Sequence, residues 1–130
     1  MIKFKPHKIS GSSGAIKMTV QKTGRLGFSK AASDFLELEK YRFCQFGENE
    51  EEHDDKHLYM MLLEEKGEYT FSISRAGAYY YVRAKQLLGE LDIDYRNEDR
   101  TIIFDIEKVN ADTEKVYRLV QRVIEKKKAK

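Results

Sequence analysis

Six basic side chains, Lys17, Lys22, Arg25, Lys30, Arg75 and Arg83, gather around two glycine turns, at Gly24 and Gly77. Several Lys and Arg on one surface neutralise phosphates, which gives salt-sensitive and mostly sequence-blind affinity for a nucleic-acid backbone. These six are the candidate DNA-binding residues. Arg25 has a second reading, as a structural hydrogen bonder to a neighbouring strand or an ion-pair partner of Asp34. Tyr79, Tyr80 and Tyr81 lie between Arg75 and Arg83. Rings on a sheet beside arginines can stack unpaired bases, as single-strand binders do. Strand alternation puts Tyr79 and Tyr81 on one face and Tyr80 on the other, and one of those faces must be core.

Other chemistries are thinly represented. His53 and His57 are four residues apart, with Asp54 and Asp55 between them. The spacing alone would suit a metal, but the run reads as a polar loop with no helical scaffold, so no metal is expected. Cys44 is the single cysteine. It excludes an internal disulfide and any multi-cysteine metal site, and no His–acid pair accompanies it, so it reads as inert. Gly24-x-x-Gly27 lacks the strand–loop–helix context of a phosphate loop. No nucleophile–base pairing is visible, and the expectation is a protein that is not an enzyme and carries no cofactor.

The elements that must position the basic residues follow from patterning. Of 130 residues, 41% are hydrophobic and 12% aromatic, which excludes a disordered chain and suits one domain. No apolar run is long enough for a membrane span and no secretory signal is seen, so a soluble cytoplasmic protein with no membrane partner is expected. The net charge of +2 hides an uneven distribution. Residues 1–30 carry seven Lys/Arg and no acid, and residues 115–130 seven Lys/Arg and one acid, while 31–114 carry ten against 21 acids. Basic ends suit nucleic acid or simply aid solubility; the acidic run at 48–55 offers a surface to a basic protein partner.

Ile16, Met18 and Val20 alternate with Lys17 and Thr19, and Leu26 and Phe28 alternate again beyond the Thr23-Gly24 turn, predicting two strands. Ser29 can cap a helix from Lys30 to about Leu38 with Ala31, Ala32, Phe35 and Leu38 inward. Tyr41, Phe43 and Phe46 predict a third strand, 47–57 a loop, and Leu58–Leu63 a fourth strand apolar enough to be buried on both faces.

A shift of 53 residues aligns Thr19–Leu38 with Ser72–Leu91, matching Gly24/Gly77, Ala31/Ala84, Glu37/Glu90 and Leu38/Leu91, with Lys22/Arg75 and Lys30/Arg83 conservative. The second copy then reads as a strand at Phe71 and Ile73, a turn at Ala76-Gly77, and a strand at Tyr79–Val82. A helix over 83–91 follows, with Ala84, Leu87, Leu88 and Leu91 inward. A short strand at Asp94–Arg96 and a strand at Thr101–Ile106 complete it. The whole predicts an α+β fold of two tandem β-β-α-β-β units, 16–66 and 67–108, forming one domain. Residues 1–15 read as a basic arm with a flexible joint at Ser10–Gly14; Ile2 and Phe4 could alternatively build a short strand there. Residues 109–130 read as a C-terminal helix capped by Asn110, with Val116, Leu119, Val120, Val123 and Ile124 as an apolar stripe and a basic tail. The stripe would pack on the sheets or, as the rival reading, form a dimer contact in a homo-oligomer.

The string Lys22-Thr-Gly-Arg-Leu-Gly-Phe-Ser-Lys30, with Leu36 and Leu38 after it, resembles the AbrB-like swapped-hairpin family, and two copies in one chain resemble the tandem arrangement of MraZ-type regulators. Ser29 stands where that family usually has proline. The resemblance implies a pseudo-twofold swapped-hairpin barrel, in which each half needs strands of the other to hide its edges. It also implies a DNA-binding transcriptional regulator with Lys22, Arg25 and Lys30, and Arg75 and Arg83 in the second copy, against phosphates and the major groove. A protein-interaction module that keeps the fold without nucleic acid, and a single-strand binder using the Tyr/Arg face, are the alternatives.

Overall fold

The structure, a computed structural model, describes Lys3, residues 14–109 and residues 115–125. Its elements are β1 (Lys17–Val20), β2 (Arg25–Phe28), α1 (Lys30–Leu36), β3 (Phe43–Gly47), β4 (Leu58–Leu63), β5 (Phe71–Ala76), β6 (Tyr79–Arg83), α2 (Lys85–Glu90), β7 (Arg100–Lys108) and β8 (Val116–Glu125). Every strand pairing is antiparallel, and the strands close into a barrel in the order β1-β2-β6-β5-β3-β4-β8-β7. Closure protects edges that an open sheet would expose. An eight-stranded barrel is just wide enough for its own side chains to fill.

Period-two alternation drives the filling. Met18 and Val20 point inward from β1, opposite Phe28 and Leu26 of β2. Met60 and Leu62, Phe104 and Ile106, and Tyr117 and Leu119 repeat the pattern on β4, β7 and β8. Ala32 and Leu36 of α1 and Leu87 and Leu88 of α2 join the same cluster. β4 is buried on one face only: Tyr59, Met61 and Leu63 are half-buried, against the two-sided burial predicted from its unbroken apolar run.

Ser29 caps α1, its Oγ accepting from Ala32 N at 3.1 Å and donating to the Ala15 carbonyl at 2.7 Å. The helix stops at Leu36, because Glu37 turns left-handed at φ 54°. Phe35, predicted inward, is 39% exposed and meets Tyr117 edge-on at 5.8 Å. Likewise α2 is shorter than 83–91, and Leu91 lies exposed beyond its end.

Two predicted elements are overturned. Asp94–Arg96 is a loop: Asp94 accepts from Arg96 N and Asn97 from Asp99 N, the local side-chain bonds that bend a chain away from a ladder. The C-terminal helix is strand β8 over its described part. Tyr117 and Leu119 face the core while Arg118 and Arg122 face out, where Asp105 and Glu107 of β7 pair with them. Val116, Val120, Val123 and Ile124 are β-branched, which favours the pleated form. Their helical spacing combines residues from both faces of a strand. Residues 10–13 of the N-terminal joint, the proposed arm strand (except Lys3), the Asn110 cap and the basic tail lie outside the described residues.

Cys44 faces the barrel interior opposite Leu62 and Phe71, fully buried, and that burial pushes its thiol up to about 12 from an ordinary 9.0. A thiol that stays protonated is a poor nucleophile at neutral pH. The raised folded-state value leaves stability untouched below pH 9 and removes it as pH climbs from 9 towards 12, since only the unfolded chain then releases the proton. At pH 10 the loss is on the order of 1 kcal/mol. Comparing urea midpoints at pH 8 and pH 10 checks this, with Cys44→Ala expected to lack that part of the slope.

Candidate nucleic-acid interface

The β1–β2 hairpin turns at Gln21–Gly24. Gly24 N donates to the Gln21 carbonyl at 2.9 Å and Gln21 N to the Arg25 carbonyl at 2.8 Å. Gly24 sits at φ 85°, which glycine tolerates and side chains resist. The turn is tied to the β6–α2 junction by a 2.9 Å bond from Ala84 N to the Gly24 carbonyl. The Lys85 side chain lies so close over Gly24 that a Cβ there would overlap its Cγ.

β2 then pairs with β6, setting Arg25 directly opposite Arg83 and Gly27 opposite Tyr81 on the outer face. The Arg25 guanidinium lies 4.4 Å from the Tyr81 ring centroid and that of Arg83 5.7 Å. Tyr79 stacks on Tyr81 at 5.8 Å and 21°, and its hydroxyl meets the Gln21 amide across Gly27. A Cβ on Gly27 would collide with that hydroxyl, so the glycine is what lets Tyr79 cross the strand. Tyr81 is only 8% exposed beneath these neighbours, leaving little ring for a nucleobase to stack on. Tyr80 points the other way, half-buried against the core.

Like charges directly opposite on a sheet repel. Yet among the described residues no ion pair involves Arg25, Arg83, Lys22 or Lys85. Arg25 does not pair with Asp34, which binds Lys30 at 3.1 Å. Of the six sequence candidates the fold therefore brings Arg25 and Arg83 together, with Lys22 on the adjoining turn. It separates the others. Lys17 stands on β1 opposite Asp105. Lys30 and Arg75 line a depression shared with Asp34, Glu37 and Glu39, and Arg75 Nε donates to the Gly77 carbonyl at 2.5 Å.

Lys85 is the residue sequence reading missed. The 53-residue offset aligned Lys30 with Arg83, but Arg83 ends β6, and Lys85 opens α2 as Lys30 opens α1. The second half has two more residues between turn glycine and helix, Ala78 ahead of β6 and one more in β6 itself, and these shift the alignment past the turn. The signal available was Ala84-Lys85 ahead of an apolar Leu-Leu pair.

The acidic loop is ordered by its own contacts. Asp55 accepts from the Tyr59 hydroxyl, from His57 N at 3.0 Å and from Asn49 Nδ2 at 3.3 Å, and contacts His57 Nδ1 at 2.8 Å. The Tyr59 hydroxyl foremost, then the His57 amide, holds its carboxyl far below the usual range. Among the described residues no group of three or more His, Cys, Asp or Glu could hold a metal ion.

No helix among the described residues is long and apolar enough to cross a membrane. No protein-family model, curated protein or solved structure matches the chain.

Proposed function

We propose that the chain is a non-enzymatic DNA-binding protein of the AbrB-like regulatory kind, gripping the phosphate backbone of duplex DNA with the outer face of β2 and β6. One observation carries the reading: Arg25 and Arg83 stand opposite each other with no carboxylate partner among the described residues, and Lys22 and Lys85 flank them at one turn. A phosphate ladder relieves that repulsion, so the patch gains from an anion what it lacks alone. The crowding of Tyr81 by Arg25, Arg83 and Tyr79 favours backbone contact over base stacking.

The kinship with swapped-hairpin barrels has its own support. The elements run β-β-α-β-β twice. Exchanging β1 with β5, β2 with β6, β3 with β7 and β4 with β8 leaves every neighbour pair of the ring unchanged. A doubled unit, each half closing the other, has this property. On this reading the halves are β1 to β4 and β5 to β8, with β8 taking the place of a fourth strand in the second.

The test is fluorescence anisotropy with a labelled duplex and a labelled single strand at several salt concentrations. Arg25→Ala with Arg83→Ala is expected to weaken duplex binding about tenfold or more and to lower the salt slope by about 1.8. Lys30→Ala with Arg75→Ala should change it far less, because acids already share that depression. Absence of duplex binding, or binding indifferent to Arg25 and Arg83, overturns the proposal. Stronger single-strand binding would move the reading to the tyrosine face.

A further inference from the structure

Among the described residues, barrel closure leaves one long edge without a neighbouring strand. β7 and β8 pair without a bulge from Lys108↔Tyr117 to Arg100↔Glu125, but β4 covers β8 only from Val116 to Leu119. Residues 120–125 therefore have β7 on one side and no strand on the other among the described residues. Gln121 to Glu125 are all exposed, with Val123 and Ile124 at 44% and 42%. Leu62 N donates to the Lys115 carbonyl at 3.0 Å, so the odd-numbered residues of β8 aim their backbone groups towards β4. Carried along the unbroken register, Gln121, Val123 and Glu125 present their N–H and C=O groups to the open side. A row of unpaired backbone groups bearing β-branched side chains is a template for another strand.

We infer that this edge pairs two copies of the chain, β8 against β8, antiparallel and centred on Val123. The occupant follows from self-complementarity. A twofold antiparallel pairing keeps each side chain on its own face, so only residues whose numbers sum to an even value can oppose. Centring on Arg122 sets Arg122 against its own copy, and centring on Ile124 sets Val123 against Glu125. Centring on Val123 sets valine on valine and Gln121 opposite Glu125 of the second copy, twice over. Of its five opposed pairs, the three odd-numbered ones present backbone groups to each other and exchange about six hydrogen bonds, while Arg122 and Ile124 oppose each other between them. Arg122 is already neutralised by Asp105, bound through Nε at 2.9 Å and Nη2 at 3.1 Å, so it adds little repulsion across the join. Lys56 lines a hollow with Gln121 and Val120, on the side where Glu125 of the second copy arrives. An edge of six residues is small beside a standard interface, so the association is a concentration-dependent equilibrium.

Sedimentation velocity of the full chain from about 1 μM to about 1 mM, the range of weak association, reads it directly. The wild type is expected to shift from monomer to dimer. Val123→Pro removes an N–H that faces away from β7, so it should leave the barrel folded by circular dichroism and the chain monomeric. Gln121→Glu places like charges opposite each other twice and should weaken the dimer about fivefold. Adding Glu125→Lys to it should restore the dimer by creating two opposite-charge pairs. A wild type monomeric throughout, or a dimer indifferent to both Val123→Pro and Gln121→Glu, overturns the inference.

Discussion

Leu26→Ala is expected to lower the unfolding free energy by about 3 kcal/mol. Leu26 is fully buried on β2, with Val20 opposite it on β1 and Val82 opposite it on β6. Truncation removes three carbons from a space walled by hydrogen-bonded strands on all sides. A closed ring cannot contract around the hole without breaking a ladder, so the cavity cost adds to the lost transfer energy. A chain of 130 residues has a total stability of about 6–20 kcal/mol, so the loss is a large share of it. In urea the midpoint should fall by about 1.5 M with the slope unchanged, taking ~2 kcal/mol/M for the slope. The same strand separates stability from binding. Arg25 is on the outer face, so Arg25→Ala with Arg83→Ala should cost only about 1 kcal/mol, from the lost contacts with the Tyr81 ring, while removing the proposed anion grip. A loss below about 1 kcal/mol for Leu26→Ala would mean that β2 is not sealed between β1 and β6.

What the sequence disclosed follows from how local each signal is. Met18 and Val20, then Leu26 and Phe28, alternate within a few residues, and the Gly24 and Gly77 turns sit between such runs, so the two hairpins were readable. Ser29 announced its helix in the same way. β8 was misread because a strand with apolar residues on both faces can imitate the spacing of a helical stripe; its β-branched content was the better guide. The apolar run Leu58–Leu63 suggested two-sided burial, but burial depends on what lies outside the barrel wall, which no local pattern encodes. The site was half legible. Residue types gave the cations, but Arg25 meets Arg83 only because β2 pairs with β6, a contact made by ring closure across the chain. Lys85 was hidden by two extra residues, Ala78 and one in β6. Local periodicity reports elements, whereas the patch is a product of their order.

Gly24→Val is expected to cost about 3 kcal/mol and to weaken duplex binding with it, for two separable reasons. The first is backbone: at φ 85° a β-branched residue is strained by about 1–2 kcal/mol. The second is space, because the new Cβ would overlap Lys85 Cγ. Gly77 divides the two. It too has a positive φ, 64°, but nothing lies within 4 Å of a Cβ added there. Gly77→Val should therefore show the backbone cost alone, and the excess at Gly24 reports the Lys85 contact. Gly24→Val combined with Lys85→Ala should recover part of that excess, a coupling that urea melts of the four proteins in a mutant cycle would measure. Binding should not recover with it, since Lys85 is one of the cations around the turn. If Gly24→Val and Gly77→Val cost the same, Lys85 does not lie over the turn, and the four-cation patch reduces to Arg25, Arg83 and Lys22.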